Sequence, residues 1–361
     1  MDYTTSPSTS IKWLQQAWPN RKPFPKRIVY AMVLSTGVIT MLLSHYFWGS
    51  IPRDITWQSS SCTFCTGYTN GMVADNPAFI SFLAPEYHND VNTTDWYFIS
   101  LRMLGYQLMH APKTKSRYPF LVAVTPHVDP SKRVQLELDG ATIVELPPIN
   151  VLGHSFREQF RDQMKKLSIF NLYGEYGRLC YIDADNLVLE SLDGIFHDPA
   201  TQIQTTRAYE DEIKDDEPTL PASYVFAGHA HSTGHHDMKK MKRIQDARSP
   251  DYTNAGFLVF APGPEIYEYY MWLANHTDRW EAIWAEQNLY NYAHRKPGNM
   301  PWMRLQDEWN VFRPSELDML RGVKSVHGHL WEEGYKGRRR DIWQRSYDEM
   351  TWFYGNRSVL V

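Results

Sequence analysis

Positive charge is not in excess in this chain. Its 361 residues hold 37 Lys and Arg against 41 Asp and Glu, for a net charge of −4. That excludes the basic footprint of a nucleic-acid-binding domain. Cysteine is scarce, three residues in all. Cys62 and Cys65 form a Cys-x-x-Cys without the strand-then-helix setting of a redox site. Their Ser, Thr and Gly neighbours read as a stem, where a local or intermolecular disulfide suits an oxidising lumen. Cys180 lies inside an apolar run and reads as a buried free thiol. No internal repeat is evident. His229, His231, His235 and His236 cluster without the spacing of a structural zinc site. Together with the acidic run Glu210 to Glu217 they make residues 208–250 read as a solvated loop or lid insertion.

What the chain does have begins at its amino end. Ile28 to Trp48 contains no Asp, Glu, Lys or Arg. At ~1.5 Å per residue such a run spans the ~30 Å hydrocarbon core as a helix. Tyr46, Phe47 and Trp48 supply an interfacial aromatic belt. Arg21, Lys22, Lys26 and Arg27 precede the run, which predicts a cytoplasmic tail over 1–27, a signal-anchor over 28–48 and a lumenal remainder. A cleaved signal peptide is the competing reading. The run is long for one, and no clear small-residue cleavage site follows. Residues 49–76 read as a stem, and the catalytic domain is expected over 77–361. Three sequons, at Asn92, Asn275 and Asn356, all fall on the side expected to be lumenal.

From Pro77 the pattern turns globular. Apolar runs at Ala78–Leu83, Phe120–Thr125, Ala141–Glu145 and Thr253–Phe260 read as strands, and Asp95–His110 and Phe156–Leu172 as helices. Their alternation predicts an α/β fold with a mainly parallel sheet and helices on its faces. Between the second of those helices and the last of those strands lies Arg178-Leu-Cys-Tyr-Ile-Asp-Ala-Asp-Asn-Leu-Val-Leu189. Its apolar run stops at Asp183 and Asp185, an Asp-x-Asp that occurs nowhere else in the chain. Ligands of open α/β sheets bind beyond the carboxyl ends of the strands. Two carboxylates at such an edge suit a hard divalent cation that bridges phosphates. A solvated acidic turn is the plain alternative.

Taken in order, these blocks resemble the glycogenin-like retaining glycosyltransferases, family eight in the usual classification. Tyr118–Pro126, Phe160–Leu172, Tyr181–Phe196, Asn254-Ala-Gly-Phe257 and Glu286-Gln287 carry the resemblance, which covers about residues 77–330. Fungal members with an anchor and stem look especially similar, N-acetylglucosaminyltransferases among them. The resemblance implies a Rossmann-like nucleotide-diphospho-sugar transferase domain, a UDP-sugar donor, Mn2+, a glycan or glycoconjugate acceptor and an α-linked product. It places Asp183 and Asp185 on the metal, with His327 as third ligand and His329 its rival. It places Asp183, Ala184, Lys166, Tyr97, Glu286 and Gly256 on the donor. Gln287 and Asn254, poor nucleophiles, fall where groups position donor and acceptor for same-face attack. Two departures stand out: Glu286 replaces the family's Asp, and the family's Gly-x-x-Lys-Pro-Trp is only echoed by Trp331, Gly334 and Lys336. The layout implies a single-pass Golgi membrane protein with a lumenal catalytic domain.

Two other classes remain. A phosphatase of the haloacid dehalogenase type also ends a strand in Asp-x-Asp, with the first Asp as nucleophile. That motif normally opens its domain, whereas three strands precede this one. A non-catalytic lumenal glycan-binding protein with the same fold would suit the aromatic carboxyl-terminal third.

Overall fold

The computed structural model describes residues 76–85, 94–147, 149, 158–212, 214–231 and 251–357. The expected tail, anchor and most of the stem lie outside the described residues, as do Cys62, Cys65, Asn92, His235 and His236. No helix among the described residues is long and apolar enough to cross a membrane.

The first half of the domain alternates strand and helix. It runs β1 (Pro77–Leu83), α1 (Trp96–Met109), β2 (Phe120–Val124), α2 (Pro130–Asp139), β3 (Thr142–Glu145), a 3-10 stretch over Glu158–Asn171 and β4 (Arg178–Ile182). Then come β5 (Asn186–Val188), β6 (Gln204–Thr205), β7 (Ser223–Tyr224), β8 (Phe226–Ala230) and β9 (Thr253–Phe260). The last part holds α3 (Pro264–Ala274), α4 (Glu286–Ala293), β10 (Met303–Arg304), β11 (Val311–Phe312), α5 (Glu316–Leu320), β12 (Ser325–His327) and α6 (Arg338–Arg357).

Seven strands form one sheet in the order β10-β8-β9-β4-β1-β2-β3. β1 pairs in parallel with β2 and β4, and β2 with β3, while β9 runs antiparallel to both β4 and β8. The sheet is therefore mixed but mainly parallel. Alternation along each strand explains why both of its faces are apolar. Ala78, Ile80 and Phe82 of β1 join Leu179, Tyr181 and Phe260 under the 3-10 stretch, α3 and α4. Phe79, Cys180, Ile182 and Val259 join Leu101, Leu104 and Leu108 of α1 on the other face. Cys180 is buried and unbridged. A second sheet, β11-β12-β5, packs beside α1 and α6 through Leu187, Val326 and Trp343.

Two local expectations need correction. The segment read as a helix over Phe156–Leu172 winds as a 3-10 helix where it is described. Met164, Leu167 and Phe170 are all buried. They recur every third residue, the period at which 3-10 side chains eclipse. The region read as a solvated insertion contains β7 and β8, and β8 is an interior strand between β9 and β10. His229 on that strand is buried.

Candidate active site

The site forms where β4 runs out. The Asp183 N–H donates to the Gly256 carbonyl at 2.9 Å, which extends the β4–β9 ladder to the first carboxylate. The chain then turns back. Asn186 donates to the Asp183 carbonyl from its backbone N–H at 3.1 Å and its side-chain amide at 3.0 Å. That turn launches β5, and β5 pairs antiparallel with β12 in a register that sets His327 opposite Asn186. The Asn186 side-chain oxygen accepts from Asn310 at 2.7 Å, and Asn310 also donates to Ser325 at 2.8 Å, both buried. Three sequence-distant segments are thus fixed to one another behind the carboxylates.

Asp183, Asp185 and His327 each offer a ligand atom, and the three atoms lie within 4.8 Å of one another. His327 Nε2 stands 3.1 Å from Asp185 Oδ1 and 3.9 Å from Asp183 Oδ2. His329 Nε2 is 3.6 Å from Asp185 Oδ2; its ring is also held by Glu332 at 2.8 Å and by the Tyr97 hydroxyl at 2.9 Å. His327 is buried and His329 half-exposed, so the geometry gathers His327 with the two carboxylates and leaves His329 beside them. His327 Nδ1 is buried without a hydrogen-bond partner. It faces Gly256, where a side-chain Cβ would sit 2.8 Å away and would come within 2.1 Å of His327 Cε1. Two carboxylate oxygens and one imidazole nitrogen converging over a position kept free of side chain fit a divalent ion.

Charge around the triad is tightly balanced. Lys166, on the 3-10 stretch, reaches Asp183 Oδ1 at 2.9 Å and Glu286 Oε1 at 3.1 Å. The Tyr181 hydroxyl also donates to Asp183. Burial lowers the Lys166 pKa, but the Asp183 and Glu286 carboxylates overcome it and hold the ammonium above its ordinary value. Burial pushes Glu286 up to about 7, against the downward pull of Lys166. Burial likewise opposes ionisation of Asp185 and His327, yet each keeps the other charged: the carboxyl lies below its usual range and the imidazole above its own.

Glu286 and Gln287 open α4 directly after Ala285, a non-glycine residue at φ 47°. Such backbone concentrates at functional sites because the surroundings must over-determine it. Here Gln287 supplies one restraint: its side-chain oxygen accepts from the Ala255 N–H at 3.0 Å and its amide donates to Tyr252 at 3.0 Å. The Asn254 side-chain oxygen accepts from the Gly256 N–H at 2.8 Å, and its amide meets His231 Nδ1 at 3.0 Å. Both amides therefore hold the start of β9 in shape under the triad. Ala184 is buried between the two carboxylates. Tyr97 stands at the rim, edge-on to His329 and to Trp331 at 5.4 Å each, with Trp331 stacked on His329. Asn275 and Asn356 are exposed, each donating to a backbone carbonyl one turn back. The sequence reading gives Tyr181, Tyr252 and Asn310 no role of their own in the site, and it takes His231 only as part of a solvated histidine cluster. Only Tyr181 carried a usable signal, two residues before Asp183 and so on the same side of the strand.

No protein-family profile matches the chain. Two uncharacterized proteins of Schizosaccharomyces pombe are similar to it. One is 24% identical over 92% of this chain and 95% of its own length; the other is 29% identical over 66% and 69%. Galactinol synthase 4 of Arabidopsis thaliana is 29% identical over 51% of this chain, and the match spans 54% of that enzyme. Among solved structures, the apo bifunctional glycosyltransferase WbbM superposes with a TM-score of 0.43 at 14% identity, over 78% of this chain and 51% of that one. Galactosyltransferase LgtC with donor and acceptor sugar analogs gives 0.39 at 13%, over 76% and 96%. The similarity to the galactinol synthases supports a nucleotide-sugar glycosyltransferase.

Proposed function

We propose that this chain is a retaining, metal-dependent glycosyltransferase that moves a sugar from a UDP-sugar to a hydroxyl of a glycan or glycoconjugate. The observation that carries the reading is the meeting of Asp183, Asp185 and His327 beyond the carboxyl end of β4. Those three residues would hold a divalent ion, Mn2+ in this reading. Bound there, such an ion would supply positive charge against the negative charge developing on a UDP leaving group. The remaining work falls to the chain itself. Lys166 and Tyr181 fix the Asp183 carboxylate. Gln287 and Asn254 hold the β9 backbone on which donor and acceptor would be aligned. Glu286 is buried and paired with Lys166, so it makes a poor nucleophile, which favours same-face attack over a covalent intermediate.

The relatives named galactinol synthases put galactose among the first sugars to try, beside N-acetylglucosamine and glucose. A phosphatase is disfavoured because its Asp-x-Asp normally opens the domain, whereas β1, β2 and β3 precede β4 here. The Ile28–Trp48 run, with its basic flank, favours a type II Golgi membrane protein with this domain in the lumen. The test is UDP release from each of the three UDP-sugars with and without Mn2+, followed by NMR of the product. We expect Mn2+-dependent release and an α-linked product. Failure with all three donors, or a β-linked product, would overturn the proposal.

A further inference from the structure

The geometry points to Arg313 as the residue that grips the diphosphate of the donor, an assignment that rests on the UDP-sugar reading above. Arg313 follows β11, in the register where Phe312 pairs with His327. Its N–H donates to the His327 carbonyl at 2.7 Å. It holds φ at 51°, in the left-handed region that a side chain other than glycine, asparagine or aspartate rarely adopts. Ala285 is the other non-glycine residue with positive φ among the described residues, and it too borders the site. Strain of this kind persists where the surroundings enforce it. Here the enforcing contact is the hydrogen bond to the third metal-ligand candidate.

The side chain is exposed, and no ion pair to it is found among the described residues. Its guanidinium lies over the Phe312 ring, 5.3 Å from the centroid, and that ring packs 4.9 Å from the His327 ring. The Arg313 Cα sits 3.9 Å from where a Cβ on Gly328 would be, and Gly328 donates to the Asp185 carbonyl. The cation therefore stands one ring away from His327.

Charge accounting favours an anion there. A divalent ion and the Lys166 ammonium together bring three positive charges, and Asp183, Asp185 and Glu286 bring three negative ones, with His327 neutral as a ligand. A nucleoside diphosphate brings further negative charge that none of these groups answers. A guanidinium matches phosphate oxygens with two parallel N–H donors. Lys336, the sequence echo of the family's lysine, is also exposed, but no hydrogen bond ties its backbone to the triad.

The experiment is calorimetric binding of UDP, of uridine and of Mn2+ alone to the full chain and to Arg313→Gly, Arg313→Lys and Lys336→Ala. Glycine removes the cation and relieves the backbone, so Arg313→Gly should fold at least as well as the parent. We expect it to weaken UDP, measured with Mn2+, at least ten-fold while leaving uridine and Mn2+ alone within two-fold. Arg313→Lys should recover part of the loss, and Lys336→Ala should have the smaller effect. If the parent binds no UDP, the UDP-sugar reading falls and this assignment with it. If the parent binds UDP and Arg313→Gly binds it equally well, or if Lys336→Ala carries the loss, the assignment alone is overturned.

Discussion

Substituting Gly256 with alanine tests the metal triad without touching a ligand. The added Cβ would lie 2.1 Å from His327 Cε1, 2.7 Å from Asp183 Oδ2 and 2.8 Å from His327 Nδ1. None of these atoms is the loose end of a long side chain. His327 is buried on β12, and Asp183 is tied to Lys166 and to the β9 backbone. Restoring ordinary contact would require the imidazole to retreat by more than an ångström. Metal–ligand distances tolerate only about 0.2 Å, so such a shift should separate His327 from the carboxylates. Overpacking of this kind costs about 1–3 kcal/mol of stability, and misplacing a ligand should weaken metal binding by ~10–100-fold, the loss typical when a ligand's supporting partners are removed. Gly228 supplies the control. A Cβ there would meet Thr253 Oγ1 at 2.5 Å and Leu258 Cδ2 at 2.8 Å, a clash somewhat milder than that at Gly256 and made with none of the three triad residues. The assay is Mn2+ titration alongside thermal melting for both variants. Both should melt earlier, and only Gly256→Ala should lose Mn2+. Equal loss of Mn2+ affinity in the two would mean that crowding acts through general destabilisation. Wild-type affinity in Gly256→Ala would refute the placement of His327 over Gly256.

Other outcomes follow from the same geometry. Asp183→Asn and Asp185→Asn keep side-chain size but remove charged ligand oxygens, so turnover should fall by several kcal/mol in activation free energy, roughly 100-fold or more; near-normal rates would exclude these carboxylates from the chemistry. His327→Ala should weaken Mn2+ dependence more than His329→Ala, and equal effects would place the third ligand elsewhere. The folded-state pKa of Glu286 is raised, from 4.5 to about 7. Its contribution to stability is therefore present below about 4.5 and lost as pH rises through about 7, a change of order a few kcal/mol. Glu286→Gln should accordingly flatten the decline in melting temperature between pH 5 and 8, and parallel curves for the two proteins would remove Glu286 from that account. If the domain is lumenal, N-glycosidase should increase its gel mobility through glycans on the exposed Asn275 or Asn356; unaltered mobility of protein made in a secretory host would count against that topology.

The parts of the fold legible in the sequence were those whose signal is local. β1, β2, β4 and β9 announce themselves as apolar runs because both faces of the sheet are covered. α1 begins where Asp95 caps it by accepting from the Phe98 N–H. β8 was lost because its Phe-Ala-Gly-His-Ala is short and weakly apolar, and acidic and His-rich flanks masked it. The strands of the second sheet are two or three residues long, below what periodicity can resolve. The site was partly legible for the same reason. Asp183 and Asp185 lie at the end of a visible strand, whereas His327 is selected over His329 only by its register against β5. The engagement of Gln287 with Ala255, and the turn at Arg313, are tertiary facts with no one-dimensional trace.

The pairing of β5 with β12 also governs when the triad can assemble. His327 reaches the carboxylates only after a strand near the end of the domain has docked beside one from its middle. During synthesis the nascent chain would carry Asp183 and Asp185 for well over a hundred residues before it could complete a metal site. On the proposed reading, a ribosome-bound or truncated chain ending before Ser325 would lack the third ligand, and ion capture would report the last long-range docking step in folding.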